Sequence, residues 1–128
     1  MKKLLSLLLV LFILLGITAC TKKQEEDIYI VFTNDVHCAI DTNIGYAGVA
    51  AYKEELLKEH KYVTLVDVGD FASGNVAGNL SVGYYPTVLM NAAGYDIGTF
   101  GNHEFDYGMD NLNEYILFFC DLIFIFKW

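Results

Sequence analysis

Three short apolar runs, each followed by a polar loop, most constrain what this chain can fold into. They are Ile28–Thr33, Tyr62–Val68 and Ile97–Phe100, and their β-branched and aromatic residues predict strands. Between the first two runs, the periodic apolar residues of Tyr46–His60 predict a helix. Pro86 and Gly94 are placed as the first residue and the C-terminal stop of a second helix. This strand–helix–strand–helix–strand order predicts an α/β fold with a parallel sheet.

The first run, IYIVFT, shows no alternation of polar and apolar residues. This predicts a strand covered on both faces, as in the interior of a parallel sheet. Two segments, Asn34–Gly45 and Gly69–Gly83, are predicted as loops, the second because it contains four glycines. Ligands of parallel α/β sheets bind at the carboxyl ends of the strands. A functional site is therefore expected where these loops begin.

One polar motif follows each predicted strand. The motifs are Asp35-Val36-His37, Gly69-Asp70 and Gly101-Asn102-His103-Glu104. Each motif is a weak signal by itself, because a loop aspartate is usually a turn former or a helix cap. Together they are informative, since the carboxyl ends of parallel strands meet at one edge of a sheet. The sequence therefore predicts that the three motifs share one site.

The side chains of these motifs form a mixed oxygen and imidazole set, which suits Zn, Mn or Fe. The Asp70 carboxylate can bridge two ions. Asp35 and His37 can complete one side, and the Asn102 amide oxygen the other. Two ions roughly 3.5–4 Å apart clamp the attacking and leaving oxygens of a phosphate ester and activate a water. Bound cations also explain how an acidic chain accepts a phosphate group.

His103 can bind metal, but its neighbouring asparagine already occupies the ion. We therefore interpret His103 as the group that stabilises the charged transition state or protonates the leaving oxygen. Asp106, three residues on, can hold the imidazole in one tautomer and keep it protonated. Glu104 is interpreted as a loop carboxylate that bonds to backbone, without a catalytic role. Cys38 is interpreted as a small, half-buried loop residue rather than a metal ligand.

Longer stretches around these motifs resemble the calcineurin-like metallophosphoesterases. They are Thr33–His37, Val66–Asp70, Asn91–Asp96 and Gly101–Gly108. The last stretch is especially similar to the secreted bacterial 5′-nucleotidases. The resemblance implies a four-layer α/β/β/α metallophosphatase domain with two divalent ions of the Zn, Mn, Fe or Mg type. The metal ligands that it implies are Asp35, His37, Asp70 (bridging) and Asn102. The catalytic pair that it implies is His103 and Asp106.

The resemblance covers residues 28–115, which we predict to be a partial metallophosphoesterase domain. It implies further histidine ligands downstream, whereas the sequence has three histidines, His37, His60 and His103. His60 is interpreted as a helix-end residue. Residues 116–128 are apolar and aromatic, and we interpret them as an aberrant, out-of-frame end. A buried strand and a membrane segment too short to span a bilayer are the alternatives.

Residues 1–19 predict the signal peptide of a bacterial lipoprotein. Lys2 and Lys3 precede an apolar run, and Ile17-Thr18-Ala19-Cys20 resembles a lipobox. On this interpretation Cys20 carries a lipid, and residues 20–27 tether an extracytoplasmic domain to the membrane. A plain signal peptide or a membrane-spanning anchor is the alternative.

Charge limits the partners that the chain can have. Without Lys2 and Lys3, 6 basic residues remain beside 16 acidic ones, a net charge of −10. No basic stripe is left to hold a phosphate backbone, which argues against a nucleic-acid polymer as partner. A small phosphorylated substrate held through metal ions is compatible with this charge.

The sequence therefore predicts a metal-dependent phosphoesterase of 5′-nucleotidase type, which hydrolyses phosphate monoesters such as nucleotides. Because the metal shells are incomplete, the part seen here is expected to have little or no activity alone. One alternative is a non-enzymatic or vestigial surface lipoprotein. Another keeps the chemistry and changes the substrate, as in the cyclic-nucleotide phosphodiesterases and nucleotide-sugar hydrolases of the same family.

Overall fold

The computed structural model of the chain describes residues 26–118 and 123–124. Within these residues, four parallel strands form one sheet in the order β1-β2-β3-β4. The strands are β1 (Ile28–Thr33), β2 (Tyr62–Asp67), β3 (Ile97–Gly98) and β4 (Ile123–Phe124). The helices are α1 (Gly45–Glu59), α2 (Val76–Leu80), α3 (Tyr84–Ala93) and α4 (Gly108–Phe118). The predicted α/β fold with a parallel sheet is confirmed.

One helix lies where the sequence analysis predicted only loop. Within Gly69–Gly83, α2 is capped by the Asn75 side chain, which accepts a hydrogen bond from the Ala77 N–H at 3.3 Å. Gly78, inside α2, hid this helix from the sequence pattern, because glycine is a poor helix former. Glycine is required there, since a Cβ would lie 2.8 Å from the Ala72 carbonyl oxygen.

The other bounds differ by small shifts. Both α1 and β2 lie within one residue of their predicted ends. Pro86 is the third residue of α3 rather than its first, still in the turn whose N–H groups lack helical partners. Gly94 ends α3 as predicted, in the left-handed conformation with φ 75°. Because β3 ends at Gly98, the predicted third strand was two residues too long.

The predicted domain boundary between residues 115 and 116 falls inside α4, which continues to Phe118. Beyond α4, β4 pairs in parallel with β3, with Ile97 opposite Ile123 and Gly98 opposite Phe124. The rest of the predicted tail lies outside the described residues. The interpretation of residues 116–128 as an aberrant end stays a prediction.

The described helices cover one face of the sheet. The core lies between the helices and this face of the sheet. Its nine buried residues are Tyr46, Val49, Leu65, Phe71, Ala72, Met90, Ala93, Tyr95 and Leu112. On the opposite face, Ile28, Ile30 and Phe32 of β1 are 72%, 66% and 68% exposed. The prediction that β1 is covered on both faces is therefore wrong here, because apolar residues also occupy its exposed positions. One sheet and one helical layer make two of the four layers that the resemblance implies.

Residues 1–19, predicted as a signal peptide, and the predicted lipidation site Cys20 lie outside the described residues. So does most of the predicted tether. Among the helices that the structure describes, none has the length and apolar character needed to cross a bilayer.

Candidate functional site

Three loops meet at the carboxyl edge of the sheet. The first loop (residues 34–44) follows β1, the second loop (68–75) follows β2 and the third loop (99–107) follows β3. Backbone hydrogen bonds join the first two loops. Asp35 N–H donates to the Gly69 carbonyl at 3.1 Å, and His37 N–H donates to the Asp70 carbonyl at 2.9 Å. The residues predicted as ligands in these two loops are thus held side by side.

The first loop has an unusual backbone. Asp35, His37 and Cys38 have φ values of 52°, 47° and 54°, in the left-handed region. This conformation costs non-glycine residues roughly 1–2 kcal/mol each, and such strain is concentrated at functional sites. The Asp35 carboxylate accepts a hydrogen bond from the Asn34 amide. Its Oδ1 lies 3.9 Å from His37 Nε2, so the two predicted ligands point into the same space.

The second loop lies close against His37 and Cys38. A Cβ at Gly74 would lie 2.7 Å from the Cβ of His37, so glycine is needed for this contact. Cys38 is fully buried, where half-burial was predicted, because α2 packs on it at Gly78. Burial raises the pKa of the Cys38 thiol. Its surroundings are those of a packed residue.

Asp70 is held by the third loop. Its φ is 60°, and its Oδ1 accepts a hydrogen bond from the His103 N–H at 2.8 Å. A Cβ at Gly101 would lie 2.3 Å from the same Oδ1. Gly101 is therefore required so that the third loop can approach the Asp70 carboxylate. Asn102, next to it, is exposed at the start of a 3-10 turn.

The Glu104 side chain is fully buried between the second and third loops. Its two oxygens accept hydrogen bonds from four backbone N–H groups, at distances of 2.7 to 2.9 Å. Three of these donors belong to the second loop and one to the third. The interpretation of Glu104 as a carboxylate that bonds to backbone is confirmed.

His103 and Asp106 form the pair that the sequence predicted. His103 Nδ1 lies 2.7 Å from Asp106 Oδ2, and the Ser73 hydroxyl donates to the same oxygen at 3.1 Å. The hydrogen bond to Asp106 raises the pKa of His103, and the same bond lowers the pKa of Asp106. The His103 ring lies edge-on to the His37 ring, with centroids 5.0 Å apart. Sequence reasoning missed Ser73, since only the fold brings the second loop to Asp106.

A buried hydrogen-bond network lies beneath the three loops. The Thr33 hydroxyl donates to Asp67 Oδ2 at 2.5 Å and lies 2.9 Å from the Tyr95 hydroxyl. Asp67 Oδ1 accepts from the Gly69 N–H at 2.9 Å, so Asp67 joins the ends of β1 and β2. Burial raises the pKa of Asp67 to about 7 and that of Tyr95 to about 12. A charged residue inside an otherwise apolar strand was the sequence signal for this network.

His60 lies apart from this site, as predicted. It caps the C-terminal end of α1 and stacks on the Tyr29 ring, with centroids 3.9 Å apart. Both residues lie near the amino ends of β1 and β2, at the opposite edge of the sheet from the three loops.

A family model described as calcineurin-like phosphoesterase matches residues 28–127. The chain belongs to the calcineurin-like phosphoesterase family. The resemblance seen in its motifs is thereby confirmed, and the matched region extends past residue 115, where the resemblance was predicted to end.

Proteins similar to this chain include a probable 5′-nucleotidase of Treponema pallidum. It is 39% identical over 72 residues, which cover 56% of this chain and 12% of the relative. A 2′,3′-cyclic-nucleotide 2′-phosphodiesterase/3′-nucleotidase of Haemophilus influenzae is 33% identical over 112 residues, covering 73% of this chain and 17% of the relative. The crystal structure of the calcineurin-like phosphoesterase YfkN from Bacillus subtilis matches with a TM-score of 0.64 and 27% identity, over 77% of this chain and 36% of that one. The chain thus spans less than a fifth of these two curated relatives.

The calcineurin-like phosphoesterase family is metal-dependent, so side chains that can bind divalent ions are expected in this chain. Among the residues that the structure describes, no three His, Cys, Asp or Glu side chains are grouped as a metal site. Two atoms that bind one ion at about 2.0–2.2 Å each can lie up to roughly 4 Å apart. The 3.9 Å between Asp35 Oδ1 and His37 Nε2 falls within that span. In chemistry, the oxygen and imidazole donors of Asp35, His37, Asp70 and Asn102 suit a divalent ion.

Proposed function

We propose that this chain carries the first part of the active site of a metal-dependent phosphoesterase that hydrolyses phosphate monoesters of nucleotides. The observation that supports this most is the meeting of the three motif-bearing loops at one edge of the sheet, with direct bonds between them. The nucleotidases among the relatives of the chain support a nucleotide as substrate.

In this proposal Asp35 and His37 would hold one divalent ion and Asn102 a second, with Asp70 as the ligand that both would share. When bound, such ions supply Lewis-acid stabilisation of the phosphate oxygens and lower the pKa of water. The chain orients the proposed ligands, because hydrogen bonds already fix the Asp70 carboxylate and the backbone of the first loop.

His103 is the proton donor in this proposal. Asp106 is bonded to Nδ1, which fixes the tautomer and leaves Nε2 as the atom that gives a proton to the leaving oxygen. The hydrogen bond to Asp106 raises the pKa of His103 and so favours the imidazolium form, which carries a proton on Nε2. The Ser73 hydroxyl donates to the same Asp106 oxygen, which helps the pair to keep its orientation.

The four proposed ligands do not fill the shells of two ions, which need at least four donors each. The sequence has three histidines, and His60 lies at the far edge of the sheet. We therefore propose that this chain alone binds metal but has little or no activity. Efficient hydrolysis of p-nitrophenyl phosphate by the purified chain with added Mn²⁺ would refute this part of the proposal.

The function is tested with AMP and Mn²⁺ in a calorimetric titration of the full chain. AMP is expected to bind when Mn²⁺ is present, to lose binding when EDTA is added, and to lose it in Asp70→Asn. The exposed Asp110→Asn of α4 is the matched control and should bind as the parent does. Binding of AMP that is the same with and without metal would contradict the proposal.

A vestigial surface lipoprotein is the alternative from a different class, and the same titration separates it from the enzyme. A working site holds saturable Mn²⁺ that Asp70→Asn removes, whereas a vestigial chain takes up Mn²⁺ without saturation. The phosphodiesterase alternative is supported by the name of the Haemophilus influenzae relative. A cyclic nucleotide that binds the Mn²⁺-loaded chain at least about tenfold more tightly than AMP, about 1.4 kcal/mol, would favour it.

We also propose that the protein is extracytoplasmic and anchored by a lipid on Cys20. The lipobox-like residues Ile17–Cys20 and the apolar run before them support this proposal. Metabolic labelling with a radioactive fatty acid in a bacterial host is expected to label the parent and not Cys20→Ser. Equal labelling of both, or of neither, would contradict the lipid anchor.

A further inference from the structure

The Glu104 carboxylate joins the second loop to the third. Its Oε2 accepts from the N–H groups of Asp70 at 2.8 Å and Gly101 at 2.7 Å. Its Oε1 accepts from those of Phe71 at 2.7 Å and Ala72 at 2.9 Å. The side chain is 0% exposed, so these bonds form away from water. Hydrogen bonds to a carboxylate are stronger than those between neutral groups.

These bonds act on the backbone of Asp70 itself. Asp70 has a φ of 60°, which an aspartate adopts against a conformational penalty. Its N–H and the next two N–H groups along the chain all point at Glu104. The neighbour of Glu104, His103, donates its own N–H to Asp70 Oδ1. The same short turn therefore sets both the backbone and the carboxylate of Asp70.

We infer that Glu104 is a positioning residue, which holds the Asp70 carboxylate in the orientation that bridges two divalent ions. This inference rests on the proposed function, in which Asp70 is the bridging ligand. Glu104 has no contact with metal or substrate in this account. It acts through Asp70, as residues behind a metal ligand commonly do.

The variant Glu104→Gln distinguishes the positioning of Asp70 from the mere filling of a buried space by the side chain. Gln has the shape of Glu, but one of its two oxygens is replaced by an NH₂ group, which donates hydrogen bonds. Whichever way the amide turns, two of the four backbone N–H groups then face a donor. The second loop then loses one or two of its three bonds to residue 104, while the volume of the buried side chain is unchanged.

The test measures Mn²⁺ affinity by electron paramagnetic resonance for the full chain, Glu104→Gln and the control Glu54→Gln. Glu54 is an exposed residue of α1, outside the three loops. We expect Glu104→Gln to weaken Mn²⁺ binding by about 10- to 100-fold, the range seen when partners of metal ligands are removed. Glu54→Gln should change it by less than about twofold, or 0.4 kcal/mol.

Amide hydrogen exchange without metal gives a second readout. In Glu104→Gln, the amides of Asp70, Phe71 and Ala72 should exchange faster, while those of β1 and β2 keep the rates of the parent. An equal increase over the whole chain would show that Glu104 only stabilises the fold, and would overturn the inference.

The variant Asp70→Asn tells the two proposals apart. If Asp70→Asn binds Mn²⁺ as the parent does, the proposed function fails. If Asp70→Asn loses binding and Glu104→Gln keeps it, the positioning role fails and the proposed function stands. Should Glu104→Gln not fold, Glu104→Asp replaces it. This change keeps the negative charge but shortens the side chain by one methylene, which moves the carboxylate away from the four N–H groups. The same loss of Mn²⁺ affinity is expected, and affinity equal to that of the parent would overturn the inference.

Discussion

The two sides of the site are held in different ways. On one side, the second and third loops are joined by side chains: Glu104 bonds to four N–H groups, and Asp70 bonds to the His103 N–H. On the other side, the first loop is held by backbone bonds to the second, and its Asp35 and His37 side chains are 57% and 37% exposed. The first side is held by hydrogen bonds to carboxylate oxygens, the second by hydrogen bonds between backbone groups.

This difference indicates which side chains contribute to the stability of the fold and which contribute mainly to metal binding. Side chains of the second and third loops contribute to the stability of the fold as well as to the proposed metal centre. The exposed side chains of the first loop contribute to metal binding and little to the fold. Substitutions on the two sides should therefore differ in the ratio of lost stability to lost metal affinity.

The largest loss of stability is expected from Gly101→Ala. The new Cβ would lie 2.3 Å from Asp70 Oδ1, so the carboxylate must move and lose the His103 N–H. We expect the free energy of unfolding in urea to fall by about 3 kcal/mol. Gly108→Ala is the control, because its φ of 85° brings strain without a close contact, and it should cost about 1 kcal/mol. Equal losses in the two variants would contradict the tight contact at Asp70.

Thr33→Val should have the next largest effect. It removes the hydroxyl that joins Asp67 to Tyr95 and leaves buried polar atoms without that partner. We expect a loss of about 2 kcal/mol in the free energy of unfolding. Thr64→Val places the same change on the face of the sheet opposite the helices, where the effect should stay within about 0.5 kcal/mol. A Thr33→Val protein as stable as Thr64→Val would show that the buried network contributes nothing.

Asp67 should make stability depend on pH. Its pKa is about 7 in the folded chain, against about 3.9 for an unfolded aspartate. The folded state therefore binds the proton more tightly, and this contribution to stability falls as the pH rises from about 4 to about 7, then levels off. The slope is at most about 1.4 kcal/mol per pH unit. Urea unfolding between pH 4 and 8 should show this slope in the parent and in Asp110→Asn, but not in Asp67→Asn. Parallel curves for the parent and Asp67→Asn would contradict it.

Asp35→Asn should have the smallest effect on the fold. Its carboxylate is mostly exposed, so the free energy of unfolding should change by less than about 0.5 kcal/mol. Mn²⁺ affinity should nevertheless fall by at least about tenfold, or 1.4 kcal/mol, because a charged donor is lost. A loss of stability as large as that of Thr33→Val would contradict the contrast between the two sides.

The sequence predicted the sheet and the meeting of the loops because those features depend on local patterns. Ile28–Thr33 is a strand in both prediction and structure, and Gly94 ends a helix as predicted. The carboxyl ends of parallel strands then bring the motifs together whatever the details of packing.

What the sequence could not predict depends on contacts between distant residues. The glycines of the predicted loop Gly69–Gly83 concealed α2, since the tight contact that requires Gly78 is visible only in three dimensions. Ser73 joins Asp106 across 33 residues of sequence. The exposed face of β1 was mistaken for a buried one because its residues are as apolar as those of the core.

The most direct test of the account is where Mn²⁺ binds. Sub-stoichiometric Mn²⁺ added to the ¹⁵N-labelled full chain broadens the NMR signals of amides near the bound ion. The account predicts that the signals of Asp35, His37, Asp70 and Asn102 broaden together and before the rest. Broadening that begins instead at the exposed glutamates of α1, such as Glu54 and Glu59, with the three loops unaffected, would contradict a metal centre at the edge of the sheet.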